Sequence, residues 1–225
     1  EHILIFRVQP EGYMMSDNTQ VFHSQGDALR ALLGDMYQVG PSKLLLGFTG
    51  EEERNELDRR FASLLKDLDM EDFNWCHPHY LLEGILDGST IRLIDALRIQ
   101  QKCVLVTNEK LKDASHCLGA KHVPAPDHDS WLARNQVYQD CKGMASQGCT
   151  FVWCAGGGVK PTAWKLFQEY PQSSHIDGGH LFDGVFGVKE RCWLNDPKSP
   201  WYRKFFDEFV PYVRNFIPEY IWGVR

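Results

Sequence analysis

Two hydrophobic periods alternate along the chain. Residues 102–107 (KCVLVT) and 151–155 (FVWCA) are short apolar runs rich in β-formers, the pattern of buried strands. Residues 90–100 instead place Ile91, Ile94 and Leu97 at helical intervals, with Ile99 also apolar. Residues 111–118 predict a short helix closed by Gly119. Residues 122–126 read as a strand end, after which Asp127-His128-Asp129 opens a long helix to about Met144, capped by Asp129 or Ser130. Beyond the second apolar run, Gly156, Gly157 and Gly158 break the pattern, and Pro161 sits where its fixed φ suits a first helical turn. Ala163, Leu166 and Phe167 continue that helix until Pro171 stops it, and residues 174–179 predict the next strand.

Toward the start, residues 3–8 and 43–48 predict two more strands. Between them lies a helix with Leu29, Leu32, Leu33 and Met36 on one face; Asp27 near its start reads as a first-turn acid. Residues 51–68 form an amphipathic pattern, with Leu57, Phe61, Leu64, Leu65 and Leu68 inward. His77 and His79 flank Pro78 without a third ligand nearby, so residues 75–80 read as a loop rather than a metal site. The aromatic-dense residues 201–222 predict a helix broken by Pro211 and Pro218, either packed on the domain or facing a partner. Helices alternating with apolar strands from residue 90 onward imply an α/β, Rossmann-like fold. Its mostly parallel sheet carries helices on both faces, with an aromatic-rich C-terminal helical segment. The expected division is 1–195 for that domain and 196–225 for the segment packed on it.

Composition narrows the class. At 225 residues, 43% hydrophobic and 24% charged, the chain is long enough for one sizeable α/β domain. A net charge of −6 without a Lys/Arg cluster argues against nucleic-acid binding driven by phosphate neutralisation. The seven cysteines are odd in number, form no C-x-x-C pair and lie partly in apolar runs. They read as reduced, buried thiols of a cytoplasmic protein, not as a disulfide framework or zinc site. No apolar run reaches the roughly 18 residues of a membrane span, so none is expected.

In a parallel sheet, ligands sit beyond the carboxyl ends of the strands. Those ends carry Asn108 and Glu109, then Asp127 and Asp129, then Gly156 to Lys160, and finally Asp177, Gly178, Gly179 and His180. The glycine turn is either a plain connection or an anion cradle, where helix N–H groups face a phosphate and Lys160 neutralises it. It lacks the Gly-Lys-Ser/Thr of a Walker loop and a clean Gly-x-Gly-x-x-Gly, which turns the reading away from NTPases and ordinary dinucleotide binding.

Gly158-Val159-Lys160-Pro161-Thr162-Ala163, followed by Ile176-Asp177-Gly178-Gly179-His180, resembles the C-terminal motif of the GT-D-type glycosyltransferases. Gln25-Gly26-Asp27-Ala28-Leu29 occupies the place of that family's N-terminal Phe-Gly-Asp-Gly-Glu, so the resemblance spans about residues 21–180. It implies transfer of a sugar from a nucleotide-sugar donor, often UDP-linked, to an acceptor hydroxyl on a glycan, a glycoprotein or a modified nucleobase. It also implies a divalent metal, Mn or Mg. Carried over by position, Gly26, Gly156, Gly157, Gly158, Lys160 and Thr162 would bind the donor, and Asp27 with His180 the metal. Asp127, Asp129, Asp177 and His180 are the candidates for acid–base work on the acceptor. Leu29 stands where the family has its glutamate, so one carboxylate remains at that motif. His180 or Asp177 would have to complete an oxygen-rich shell, or Lys160 supply the charge instead. The competing reading is a non-catalytic nucleotide- or phosphate-binding module of the same fold.

Overall fold

Alternate residues of the central strands face opposite sides of one sheet, and each side has its own core. The computed structural model describes residues 4–7, 44–47, 75–76, 80–127, 130–187 and 196–219. Its strands are β1 (Leu4–Arg7), β2 (Leu44–Gly47), β3 (Trp75–Cys76), β4 (Cys103–Thr107), β5 (Lys121–Pro124), β6 (Thr150–Cys154) and β7 (Ser174–Asp177). They lie in the order β3-β2-β1-β7-β6-β4-β5, and the pairings between them are parallel. The helices are α1 (Tyr80–Leu86), α2 (Ser89–Gln100), α3 (Ala114–Leu118), α4 (Arg134–Ser146), α5 (Lys160–Glu169), α6 (Pro200–Lys204) and α7 (Val210–Arg214). The expected α/β class with helices on both faces is what the chain forms.

On one face Val104, Val106, Phe151 and Trp153 pack with Val137 and Cys141 of α4 and Ala163 and Phe167 of α5. On the other, Leu105, Val152 and Cys154 pack with Ile94 and Leu97 of α2, Cys117 of α3, and Phe205, Phe209 and Val213 of the C-terminal helices. A strand buried on both faces needs the unbroken apolar runs seen in the sequence. Each such side chain contributes about 1.5–3 kcal/mol when fully buried. Among the described residues, no helix is long and apolar enough to cross a membrane.

Four local expectations change. Trp75–Cys76, expected in a loop, is an edge strand beside β2. The run 111–118 splits into a tight turn, Glu109–Leu111, and α3, because the Asn108 side chain caps the turn by accepting from the Leu111 amide at 3.2 Å. Pro211 does not break the C-terminal helix: a wide turn, Phe205–Phe209, joins α6 to α7, with the Val210 N–H donating to the Phe205 carbonyl. That widening makes room for the proline ring, which otherwise clashes with the carbonyl four residues back. The helix expected to open at Asp127 starts only at Arg134, with Ala133 before it and no side-chain cap.

The connections out of β4 and β6 diverge. β4 leads outward through α3 to β5, while β6 leads the other way through α5 to β7, on the opposite face. A crevice opens at such a switch point, beyond the strands' carboxyl ends. Here those ends are Thr107-Asn108 and Cys154 with the glycine turn.

Candidate functional site

The turn after β6 has physical reasons for two of its glycines. Gly156 sits at φ 70° and ψ −177°, a conformation almost closed to residues with a Cβ. A Cβ on Gly158 would stand 2.4 Å from the Trp131 backbone nitrogen and 2.6 Å from Ser130 Oγ. The chain at 130–131 therefore lies directly on the turn, which explains the late start of α4. Arg134 holds Trp131 there twice: the Trp131 carbonyl accepts from Arg134 Nη1 at 2.8 Å, and the guanidinium lies 3.9 Å from the centroid of the indole ring. Gly156 is exposed and Gly157 half-buried, while Gly158 is buried. Gly157–Val159 forms one tight turn that runs into α5.

Lys160, the first residue of α5, points to the neighbouring strand end. Its Nζ lies 2.9 Å from Asp177 Oδ2, with the two side chains 8% and 10% exposed. Removing one partner of a pair this buried costs about 3–5 kcal/mol, because the other charge is left unpaired. Asp177 Oδ1 accepts from the Gly179 amide at 3.0 Å, and the Asp177 carbonyl accepts from the Tyr80 hydroxyl of α1. A Cβ on Gly178 would meet Cys154 Sγ at 2.6 Å, so only glycine lets the end of β7 pass this close to β6. Just beyond, His180 Nδ1 lies 3.2 Å from Asp183 Oδ2, and Asp183 is buried. Burial, then the charges of Asp177 and Asp183, push the Cys154 thiol well above its ordinary range, so it is no nucleophile.

Behind the site, β7 is anchored by a neutral histidine. Trp153 Nε1, which can only donate, lies 3.1 Å from His175 Nδ1. His175 Nε2 therefore carries the proton and donates to Ser173 Oγ at 2.9 Å, and that hydroxyl donates to the Tyr170 carbonyl at 2.7 Å. The ring stacks on Phe151 at 5.0 Å between centroids. Burial lowers its pKa from 6.5 to about 3.

The structure brings Gly156, Gly157, Gly158, Lys160, Asp177 and His180 to one stretch of rim. Asp127 sits to the side, beyond β5, accepting from the Asn108 amide nitrogen at 3.2 Å and paired with Lys110. Three strand spacings separate β5 from β7, about 14 Å. Thr162 faces α4, where its hydroxyl donates to the Arg134 carbonyl at 3.1 Å. Gly26, Asp27 and Asp129 lie outside the described residues. Asp183, Ser130 and Tyr80 join the rim without having been read as part of it. For Asp183 a signal existed, the His-x-x-Asp spacing that one turn brings together. Ser130 gave none, since a serine ahead of a helix reads first as a cap.

Of the two residues expected to hold a divalent ion, His180 is on this rim and Asp27 lies outside the described residues. Asp177 already holds an ammonium and a backbone amide, His180 Nδ1 faces Asp183, and no group of three His, Cys, Asp or Glu side chains suited to a metal occurs among the described residues. The five described cysteines, at 103, 117, 141, 149 and 154, are free and buried, as expected. Comparison with known proteins finds no matching family model, no matching curated protein and no matching solved structure.

Proposed function

We propose that the chain is a glycosyltransferase that moves a sugar from a nucleoside diphosphate sugar, UDP-linked by the resemblance, to an acceptor hydroxyl. The observation that carries this reading is the His180–Asp183 pair at 3.2 Å, placed beside a buried Lys160–Asp177 pair and a glycine turn at the sheet's switch point. With Nδ1–H directed at the Asp183 carboxylate, the imidazole presents Nε2 as a base. In the step, the acceptor oxygen bonds to the sugar's anomeric carbon and loses its proton to Nε2. The bond from that carbon to the phosphate oxygen breaks, and the nucleoside diphosphate leaves with the electron pair. Negative charge grows on the leaving diphosphate, where the turn's amides and the Lys160 ammonium stabilise it. Asp177 keeps that ammonium in place.

The test follows nucleoside diphosphate release from a panel of nucleotide sugars, with and without simple glycan acceptors. His180→Ala should lower kcat by about 10²–10⁴-fold, the usual worth of a positioned base, while donor binding survives. A non-catalytic nucleotide-binding module uses the same turn but predicts binding without release. No release from any donor, or undiminished release by His180→Ala, overturns the transferase.

A further inference from the structure

We infer that Asp127 recognises the donor's ribose: its carboxylate accepts hydrogen bonds from the ribose hydroxyls, and the nucleoside lies over the ends of β4 and β5. The inference rests on the proposed nucleotide-sugar donor and adds the direction in which that donor lies. Along the rim, His180 follows β7, the glycine turn follows β6, Asn108 follows β4 and Asp127 follows β5. With the anomeric carbon at His180 and the diphosphate over the glycine turn, the rest of the donor continues toward β4 and β5. Lengths agree with that course. About nine bonds separate the anomeric carbon from the ribose 3′ oxygen, and an extended chain advances roughly 1.1–1.2 Å per bond, so the two lie about 10 Å apart. A hydrogen bond from that hydroxyl to a carboxylate adds about 2.6 Å. The three strand spacings from β7 to β5 are about 14 Å, which a nucleotide sugar nearly spans and a diphosphate alone does not.

Asp127 is also aimed along the rim. Its Oδ1 accepts from Asn108 Nδ2 at 3.2 Å, so the carboxylate is turned toward the end of β4, and its Oδ2 pairs with Lys110. Asn108 is fixed in turn, its own side-chain oxygen accepting from the Leu111 amide at 3.2 Å. The chain just before Asp127 stays on the sheet, because the Ala125 amide donates to the Thr107 carbonyl at 2.9 Å. The carboxylate is thus oriented before a ligand arrives, while its side chain is 37% exposed. A carboxylate repels phosphate and accepts from hydroxyls, each of its oxygens taking more than one hydrogen bond. An acid at the β5 end and Lys160 beside the glycine turn therefore set the polarity of the donor, hydroxyl-bearing end over one and charged end over the other.

The experiment is a calorimetric titration of the full chain, as wild type, Asp127→Ala and Asp127→Asn. The probes are ADP, CDP, GDP and UDP, then the 2′,3′-dideoxy counterpart of the one that binds most tightly. Thermal midpoints without ligand verify that each variant is folded. Loss of hydrogen bonds to a charged group should make the wild type bind the dideoxy nucleotide about tenfold or more weakly than the ribonucleotide. In Asp127→Ala that ratio should fall to near one, with binding of inorganic pyrophosphate no weaker than in wild type. Asp127→Asn, which keeps the shape without the charge, should lose most of the discrimination. A wild type that binds both nucleotides equally, or an Asp127→Ala variant that still discriminates between them, overturns the ribose contact, and turnover of nucleotide sugars then leaves the transferase standing. Discrimination that depends on Asp127, with no turnover of any nucleotide sugar, upholds the contact and removes the transferase. No binding of any nucleoside diphosphate overturns both.

Discussion

Two buried indoles show how much one hydrogen atom decides. Trp153 Nε1 donates to His175, whereas Trp164, equally buried, has no partner for its Nε1 among the described residues. Trp153→Phe strands the His175 Nδ1 acceptor, so a loss of about 1–3 kcal/mol is expected in urea unfolding. Trp164→Phe removes an unpaired donor along with some volume, and a change within about 1 kcal/mol is expected. Equal losses in the two variants would contradict the histidine relay. The same relay sets a pH dependence. Between its ordinary 6.5 and the folded value of about 3, the unfolded chain carries a proton on His175 that the folded chain does not. Stability is therefore full above the ordinary value and declines as pH falls below it, by about 1.4 kcal/mol per unit for this one group. Unfolding curves at pH 7 and pH 5 measure the decline, and NMR should show a His175 ring that does not titrate over that span. None of this was legible beforehand: the sequence places His175 in a strand but does not show which indole lies across from it.

At the scale of elements, legibility followed period. The strands at 103–107 and 150–154 and the helices at 89–100 and 160–169 appeared within one or two residues of expectation, because each pattern is fixed by burial on known faces. The helix after β5 did not. Asp129 and Ser130 are good caps by type, yet packing of 130–131 against the glycine turn prevails over a capping preference worth about 1 kcal/mol. Two glycines accordingly have opposite fates. Gly158→Ala sets a Cβ 2.4 Å from backbone that cannot yield, and a loss of about 1–3 kcal/mol is expected. Gly143 lies exposed within α4 with no described residue beyond its own helical turn within 4 Å of its would-be Cβ, so Gly143→Ala should stabilise by about 0.4–1 kcal/mol. Thermal or urea unfolding reads both, and a harmless Gly158→Ala would show that the chain at 130–131 does not rest on the turn.

For the whole molecule, the sheet order does what no single motif does. It sets the connections out of β4 and β6 apart, and so selects one stretch of rim from the several strand ends that carry polar residues. Glycines, Lys160, Asp177 and His180 were legible as a group because they follow two consecutive strands, which the alternation of helix and strand makes neighbours. Asp127 was drawn into the same group by its chain position alone, and the order of strands moves it aside. The central claim is that this stretch binds a nucleoside diphosphate. Thermal unfolding of the full chain against nucleosides, nucleoside diphosphates and their sugars tests it most directly. A ligand bound only by the folded state should add about 2.7 kcal/mol at a hundred times its Kd. The account predicts a concentration-dependent rise in Tm for a nucleoside diphosphate and its sugar, and none for the nucleoside alone. An unchanged Tm with every nucleoside diphosphate would contradict it.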